Sequence, residues 1–166
     1  MSFAGLQRRG WLGLAAGSIL ALSGCTSPSP KLAERSAFWS GRLALQIQST
    51  PPQNWSANFE LQGSADQGEL SLFSPIGSTL ARLSWTPLSA LLEQGPHKTT
   101  DSSLDLLSQR LTGTHLPIEA LFEWLNGRAG VSSGWEADLS AQAQGRLTAK
   151  RTWPEPQAIL RIVLDR

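Results

Sequence analysis

The chain contains no tyrosine, one cysteine, one methionine and two histidines in 166 residues. Each shortage excludes something. A single cysteine, Cys25, permits neither an internal disulfide framework nor a cysteine-rich zinc site. Two histidines, His97 and His115, leave little material for metal ligation or acid–base chemistry. Charged residues make up 16% of the chain, below the roughly 25% of an average soluble domain. They also balance: Arg8 and Arg9 are the only charges before Cys25, and the remainder carries twelve basic against thirteen acidic residues. That balance provides no basic footprint, so no nucleic-acid partner is expected. His-Glu-x-x-His and a glycine-rich phosphate loop are absent. His97 lies in a polar Gly-Pro-His-Lys turn and reads as a solvated loop residue. His115 falls in a link between two helices. The acid pairs Asp101/Asp105 and Glu119/Glu123 fit a helix cap and a wet helical face. The expectation is no enzyme: no catalytic residue, no metal and no cofactor. What is plentiful is apolar, at 40% of residues with seven tryptophans, and the length suits one domain.

The first segment reads as an address. Arg8 and Arg9 precede an apolar run from Trp11 to Leu22, too short to span a bilayer as a helix and suited to a signal peptide. It ends in Leu22-Ser23-Gly24-Cys25, which resembles the bacterial lipobox. That resemblance implies cleavage before Cys25, a diacylglycerol on its thiol and an acyl chain on its new amine. Thr26, rather than Asp, follows the cysteine; by the same resemblance the protein is expected on the outer membrane, facing the periplasm. Each buried methylene contributes about 0.8 kcal/mol, so three chains anchor the protein without help from the polypeptide. Thr26 to Pro30 (TSPSP) reads as an extended tether. The expected organisation is a signal at 1–24, a lipidated tether at 25–35 and one domain at 36–166.

Beyond the tether the apolar residues alternate with a period of two. Leu43, Leu45 and Ile47 share one face of a strand; Trp55, Ala57, Phe59 and Leu61 alternate with polar neighbours in the next. Leu70 and Leu72 follow, then Ala81, Leu83 and Trp85. Ser89 to Gln94, Trp135 to Leu139, Arg146 to Lys150 and Ala158 to Leu164 read as further strands. Short strands joined by tight turns imply antiparallel pairing with one face apolar. The fold class predicted is mainly antiparallel β, as a strongly curved sheet or an unclosed barrel. The middle changes period. Asp101 or Ser102 can cap a helix carrying Leu104, Leu107 and Leu111 and stopped by Gly113. Pro117 suits a first helical position, with Ile118, Leu121, Phe122 and Leu125 at helical spacing until Gly127. Such short helices must lay their apolar faces on the sheet. They either complete an ordinary core or cover a barrel mouth with an apolar cavity behind it.

One segment fits a polar surface badly. Pro75 and Gly77 mark a turn between two strands, yet Ile76 sits between them. Ile76 either folds inward or projects for a reason. The stretch Gly68-Glu69-Leu70-Ser71-Leu72-Phe73-Ser74-Pro75-Ile76-Gly77-Ser78-Thr79 resembles the strand and Pro-Leu-Gly-Ser-Thr segment of the LolB family of outer-membrane lipoprotein receptors. Leu111-Thr112-Gly113-Thr114-His115-Leu116-Pro117 is similar to that family's Leu-Thr-Gly link, and Leu121-Phe122-Glu123-Trp124-Leu125-Asn126-Gly127 to its next helix. With the lipobox, the likeness covers most of 22–127, while 128–166 matches as a string of strands. The chain reads as shorter than the family, with loops trimmed or a terminal strand missing.

This resemblance implies an unclosed β-barrel with helices over an apolar cavity. It also implies acceptance of acylated lipoproteins from a periplasmic carrier of similar fold (LolA-like) and their insertion into the inner leaflet of the outer membrane, by a protein expected to be monomeric. The loop Pro75, Ile76 and Gly77 would assist insertion, with Ile76 standing where the family has Leu. The expected cavity lining is Leu43, Leu45, Ile47, Trp55, Phe59, Leu61, Leu70, Leu72, Leu83, Trp85, Phe122 and Leu125. A carrier of another amphiphile, or an envelope-assembly scaffold of similar fold, shares most of these features; the projecting loop is what separates them.

Overall fold

The structure is a computed structural model, and it describes residues 37–165 apart from 131 and 133. The signal at 1–24, the tether at 25–35 and Cys25 lie outside the described residues.

Nine strands form one antiparallel sheet. They are β1 (Ala37–Ile47), β2 (Gln53–Gly63), β3 (Gly68–Phe73), β4 (Thr79–Thr86), β5 (Ser89–Gln94), β6 (His97–Asp101), β7 (Trp135–Asp138), β8 (Arg146–Arg151) and β9 (Ala158–Leu164). The order across the sheet is β6-β5-β4-β3-β2-β1-β9-β8-β7. The first six strands thus make a simple meander, and β9 returns to pair with β1. The two edges, β6 and β7, do not pair with each other, so the barrel stays open. The helices α1 (Leu104–Thr112) and α2 (Ile118–Leu125) connect these edges. A short 3₁₀ turn, Gln142–Gln144, precedes β8.

The alternation seen in the sequence becomes one inward face because register carries it from strand to strand. Leu45 stands opposite Trp55 on one side and Leu160 on the other. Phe59 faces Leu72, Leu61 faces Leu70, and Leu83 lies between Leu70 and Leu92. A one-residue slip would turn every one of these side chains to solvent, so the apolar pattern itself specifies the pairing.

The helices close over this face. Phe122 of α2 meets Trp39 and Trp85 edge-on, with centroids 5.6 and 6.2 Å away. Trp124 of α2 is fully buried and tilts against Trp135 at 6.4 Å. Three indole N–H groups then pin loops and helix ends to the sheet, and a fourth, that of Trp124, pins a loop to α2. Trp85 donates to the Ser64 and Ala65 carbonyls, Trp135 to His115, Trp124 to Gly130 and Trp55 to Thr112. An indole is a large apolar body with one donor and no acceptor. This use of backbone carbonyls gives the tryptophans a structural role.

Local chemistry departs from the sequence reading in three places. Ser103, not Asp101 or Ser102, caps α1: its hydroxyl accepts from the Leu106 N–H at 3.2 Å, while Asp101 accepts from the Ser103 N–H. Pro117 is the cap residue of α2 rather than its first helical residue. The Gly-Pro-His-Lys segment is also not wholly loop, because His97, though exposed, opens the edge strand β6. The residues His97-Lys98-Thr99-Thr100-Asp101 carry no apolar alternation, which hid the strand; pairing with β5 alone defines it.

Candidate functional site

Eleven of the twelve residues expected to line the cavity are buried, and they belong to one continuous cluster. Leu43, Leu45 and Ile47 come from β1, Phe59 and Leu61 from β2, Leu70 and Leu72 from β3, and Leu83 and Trp85 from β4. Phe122 and Leu125 reach the same cluster from α2. Trp55 is partly buried at its edge, where its indole holds the end of α1. The fold therefore brings all twelve to one apolar face.

The loop after β3 is a compact device. The Gly77 N–H donates to the Ser74 carbonyl at 2.9 Å, closing a turn with Pro75 and Ile76 at its two central positions. The Ser74 N–H donates to the Ser78 carbonyl at 2.8 Å, and the Ser74 hydroxyl accepts from the Ser78 N–H. Proline pre-sets the first corner. Gly77 has φ 85°, and a β-carbon added to it would meet no atom within 4 Å, so conformation rather than space selects glycine there. With its backbone tied down, the turn can only point Ile76 outward, and the side chain is 89% exposed.

Two further apolar projections had escaped the sequence reading. Leu88 is 87% exposed at the β4–β5 turn, and Trp153 is 74% exposed in the connection between β8 and β9. Their signals were present in Thr86-Pro87-Leu88-Ser89, which repeats the proline–aliphatic pattern of the Ile76 turn, and in the doubled prolines of Trp153-Pro154-Glu155-Pro156.

A cleft of about 610 Å³ lies elsewhere, and none of the twelve lining candidates borders it. The first turns of α1 and α2 form one side, and Trp135, Arg151 and Pro154 stand on its lining. Gly134 belongs to the same neighbourhood: a β-carbon there would collide with the Trp153 carbonyl oxygen, so only glycine admits that close approach. Among the described residues no group of three metal-ligating side chains occurs. The resolved carboxyl shifts are all downward and have structural partners. Arg128 holds Glu123 below its ordinary value through two hydrogen bonds of 2.6 and 2.9 Å; Lys98 does the same for Glu93, and Ser140 for Asp138.

An antiparallel sheet that stays open, covers its apolar face with two short helices and exposes an apolar turn tip defines a class: unclosed β-barrels that handle apolar groups. The family model described as "Outer membrane lipoprotein LolB" matches residues 38–155, and the chain belongs to the LolB family. It is 28% identical to the outer-membrane lipoprotein LolB of Bordetella petrii over 185 aligned residues, covering 95% of this chain and 92% of the relative. Against LolB of Shewanella baltica (strain OS155) the identity is 29%, over 82% and 68% of the two chains. Against LolB of Shewanella sp. (strain MR-4) it is 32%, over 71% of this chain and 59% of the relative. The protein is accordingly an outer-membrane lipoprotein. Its family role is the binding and transport of lipoproteins toward the outer membrane, so its cargo is lipoprotein.

Proposed function

We propose that this protein takes acylated lipoproteins from a soluble, LolA-like periplasmic carrier, shelters their chains on the apolar face behind α1 and α2, and releases them into the inner leaflet of the outer membrane. In this reading Cys25 carries the diacylglycerol and N-acyl anchor, the protein works as a monomer, and no step is catalytic in the chemical sense. The twelve residues from Leu43 to Leu125 named above form the acyl-binding surface. The observation that carries the reading is Ile76, an aliphatic side chain held out almost completely by a closed, hydrogen-bonded turn.

The energetics need no nucleophile. Moving an acyl chain through water exposes methylenes at about 0.8 kcal/mol each, so a continuous apolar route lowers the barrier. A tenfold preference of receptor over carrier requires only about 1.4 kcal/mol. The bilayer is the deepest sink, which makes release downhill. Ile76 contributes about 0.6 kcal/mol at most to membrane insertion, too little to anchor anything and enough to disturb lipid packing locally. The test is transfer of one labelled lipoprotein from loaded carrier to a Cys25→Ala form lacking residues 1–24, followed by delivery to liposomes. Movement of label onto the folded receptor supports the reading. A folded receptor that takes none overturns it.

A further inference from the structure

We infer that the cleft beside α1 and α2 binds the headgroup of an ethanolamine-type phospholipid, its phosphate on Arg151 and its ammonium on Glu119 and Asp105. The inference starts from an unpaired buried charge. Arg151 ends β8 and is 3% exposed. Its Nη2 donates to the Pro156 carbonyl at 2.7 Å, and its guanidinium lies 5.7 Å from the centroid of the Trp135 ring. Its Nε has no partner, and among the described residues no carboxylate forms an ion pair with it. A guanidinium keeps its charge when buried. One carbonyl and an indole face compensate it only in part, and a desolvated cation without a counter-anion is a costly feature to retain.

The surroundings define the missing partner. Arg151 lines the cleft of about 610 Å³, within the roughly 300–1,000 Å³ typical of small-molecule sites. The start of α2 lines it too and has no side-chain cap, so its first N–H groups add positive potential to that of Arg151. An anionic oxygen group fits this end. A free dianion does not fit the whole cleft, because Asp105 and Glu119 are exposed on the same lining and neither is in an ion pair among the described residues. Two carboxylates that share one cleft lining with a buried guanidinium match a ligand that joins a phosphate to an ammonium.

The rest of the lining favours a lipid over a free metabolite. Leu104, Ile118 and Pro154 supply apolar wall, and the neighbouring Trp153 is exposed, an arrangement suited to the boundary between headgroup and chain. Register also places the Trp153 connection and the Ile76 turn at the same end of the sheet. β3 runs toward the Gln53 end of β2, Gln53 pairs with Ile47, and Ile47 pairs with Ala158, where the Trp153 connection enters β9.

The test uses the intact chain in maltoside micelles, titrated with dihexanoyl phosphatidylethanolamine while tryptophan fluorescence and the melting temperature are followed. The phospholipid is expected to bind at least about tenfold more tightly than dihexanoylglycerol, phosphoethanolamine or inorganic phosphate, and to raise the melting temperature. Arg151→Met should bring the phospholipid to the level of dihexanoylglycerol. Glu119→Gln, at an exposed position, should abolish preference for dihexanoyl phosphatidylethanolamine over dihexanoyl phosphatidylglycerol. Equal binding of phospholipid and dihexanoylglycerol by the unaltered protein overturns the site without recourse to variants. So does unchanged binding in a folded Arg151→Met protein. Inorganic phosphate binding as tightly as the phospholipid overturns the lipid assignment.

Discussion

Strand β4 carries nearly the same chemistry at both ends. Before it comes Pro75-Ile76-Gly77, and after it Pro87-Leu88-Ser89, with the two aliphatic side chains 89% and 87% exposed. Hydrophobicity and exposure therefore do not distinguish them. Construction does. The Ile76 turn is closed by backbone hydrogen bonds and a left-handed glycine. The Leu88 turn is the two-residue link of a hairpin whose last ladder pair is Thr86 with Ser89, and the Thr86 hydroxyl accepts from the Leu88 and Ser89 N–H groups at 3.4 and 3.3 Å. They also project from opposite ends of one strand, so a single flat membrane meets one of them. Under the proposed function, what separates two equally greasy tips is the end of the sheet each occupies and the way its turn is closed.

The largest change should come from the strand that joins the two tips. Leu83, fully buried in β4, has no room to relax; Leu83→Ala should lower unfolding free energy by about 2–5 kcal/mol in a urea titration. Both ends of β4 would loosen together, erasing the distinction between them. Ile76→Glu comes next, leaving stability unchanged and slowing delivery to liposomes by about tenfold, equivalent to 1.4 kcal/mol. Receipt from the carrier should continue at the parent rate, so the two half-reactions must be timed separately. Gly77→Ala tests presentation rather than grease. With φ 85° and open space around it, the added methyl should cost about 1 kcal/mol in thermal stability through backbone strain alone. At the other end of β4, Leu88→Glu should change stability by less than about 0.5 kcal/mol and leave delivery intact. A delivery defect there equal to that of Ile76→Glu would break the comparison.

A still smaller effect should appear in acid, away from both tips. Glu93, Glu123 and Asp138 all have pKa values lowered by their partners. Their stabilisation is therefore complete above the ordinary carboxyl range and is lost as pH falls through the depressed folded values. Melting temperatures measured downward from pH 5 should decline in that window, and Arg128→Ala should flatten the part due to Glu123. Asp138 is exposed and Glu93 and Glu123 are partly exposed, so the decline should be shallow.

Legibility followed the strength of the local pattern. Leu43-Ala44-Leu45-Gln46-Ile47 and Trp55 to Leu61 announced strands because burial on one face demands alternation. β6 had no such demand, since its Thr and charged side chains face a partly wet edge, and it stayed hidden. Pro75 and Gly77 identified a turn, but whether Ile76 folds inward or projects depended on how that turn is closed. Arg151 gave no signal at all: in sequence it is one basic residue in Lys150-Arg151, and only packing against Trp135 and Pro156 buries it.

The sequence by itself determined which face of the alternating strands is apolar, where the chain turns and where two short helices interrupt the sheet. These follow from side-chain period and from the restricted backbone of proline and glycine, which are local properties. Tertiary structure alone decided that β9 lies between β1 and β8, that the barrel remains open between β6 and β7, and that four indoles fasten its loops and helix ends. It also put Arg151 beside two helix starts and aimed Ile76 and Leu88 in opposite directions. Those outcomes depend on register and on contacts between residues distant in the chain, and no local window of sequence contains them.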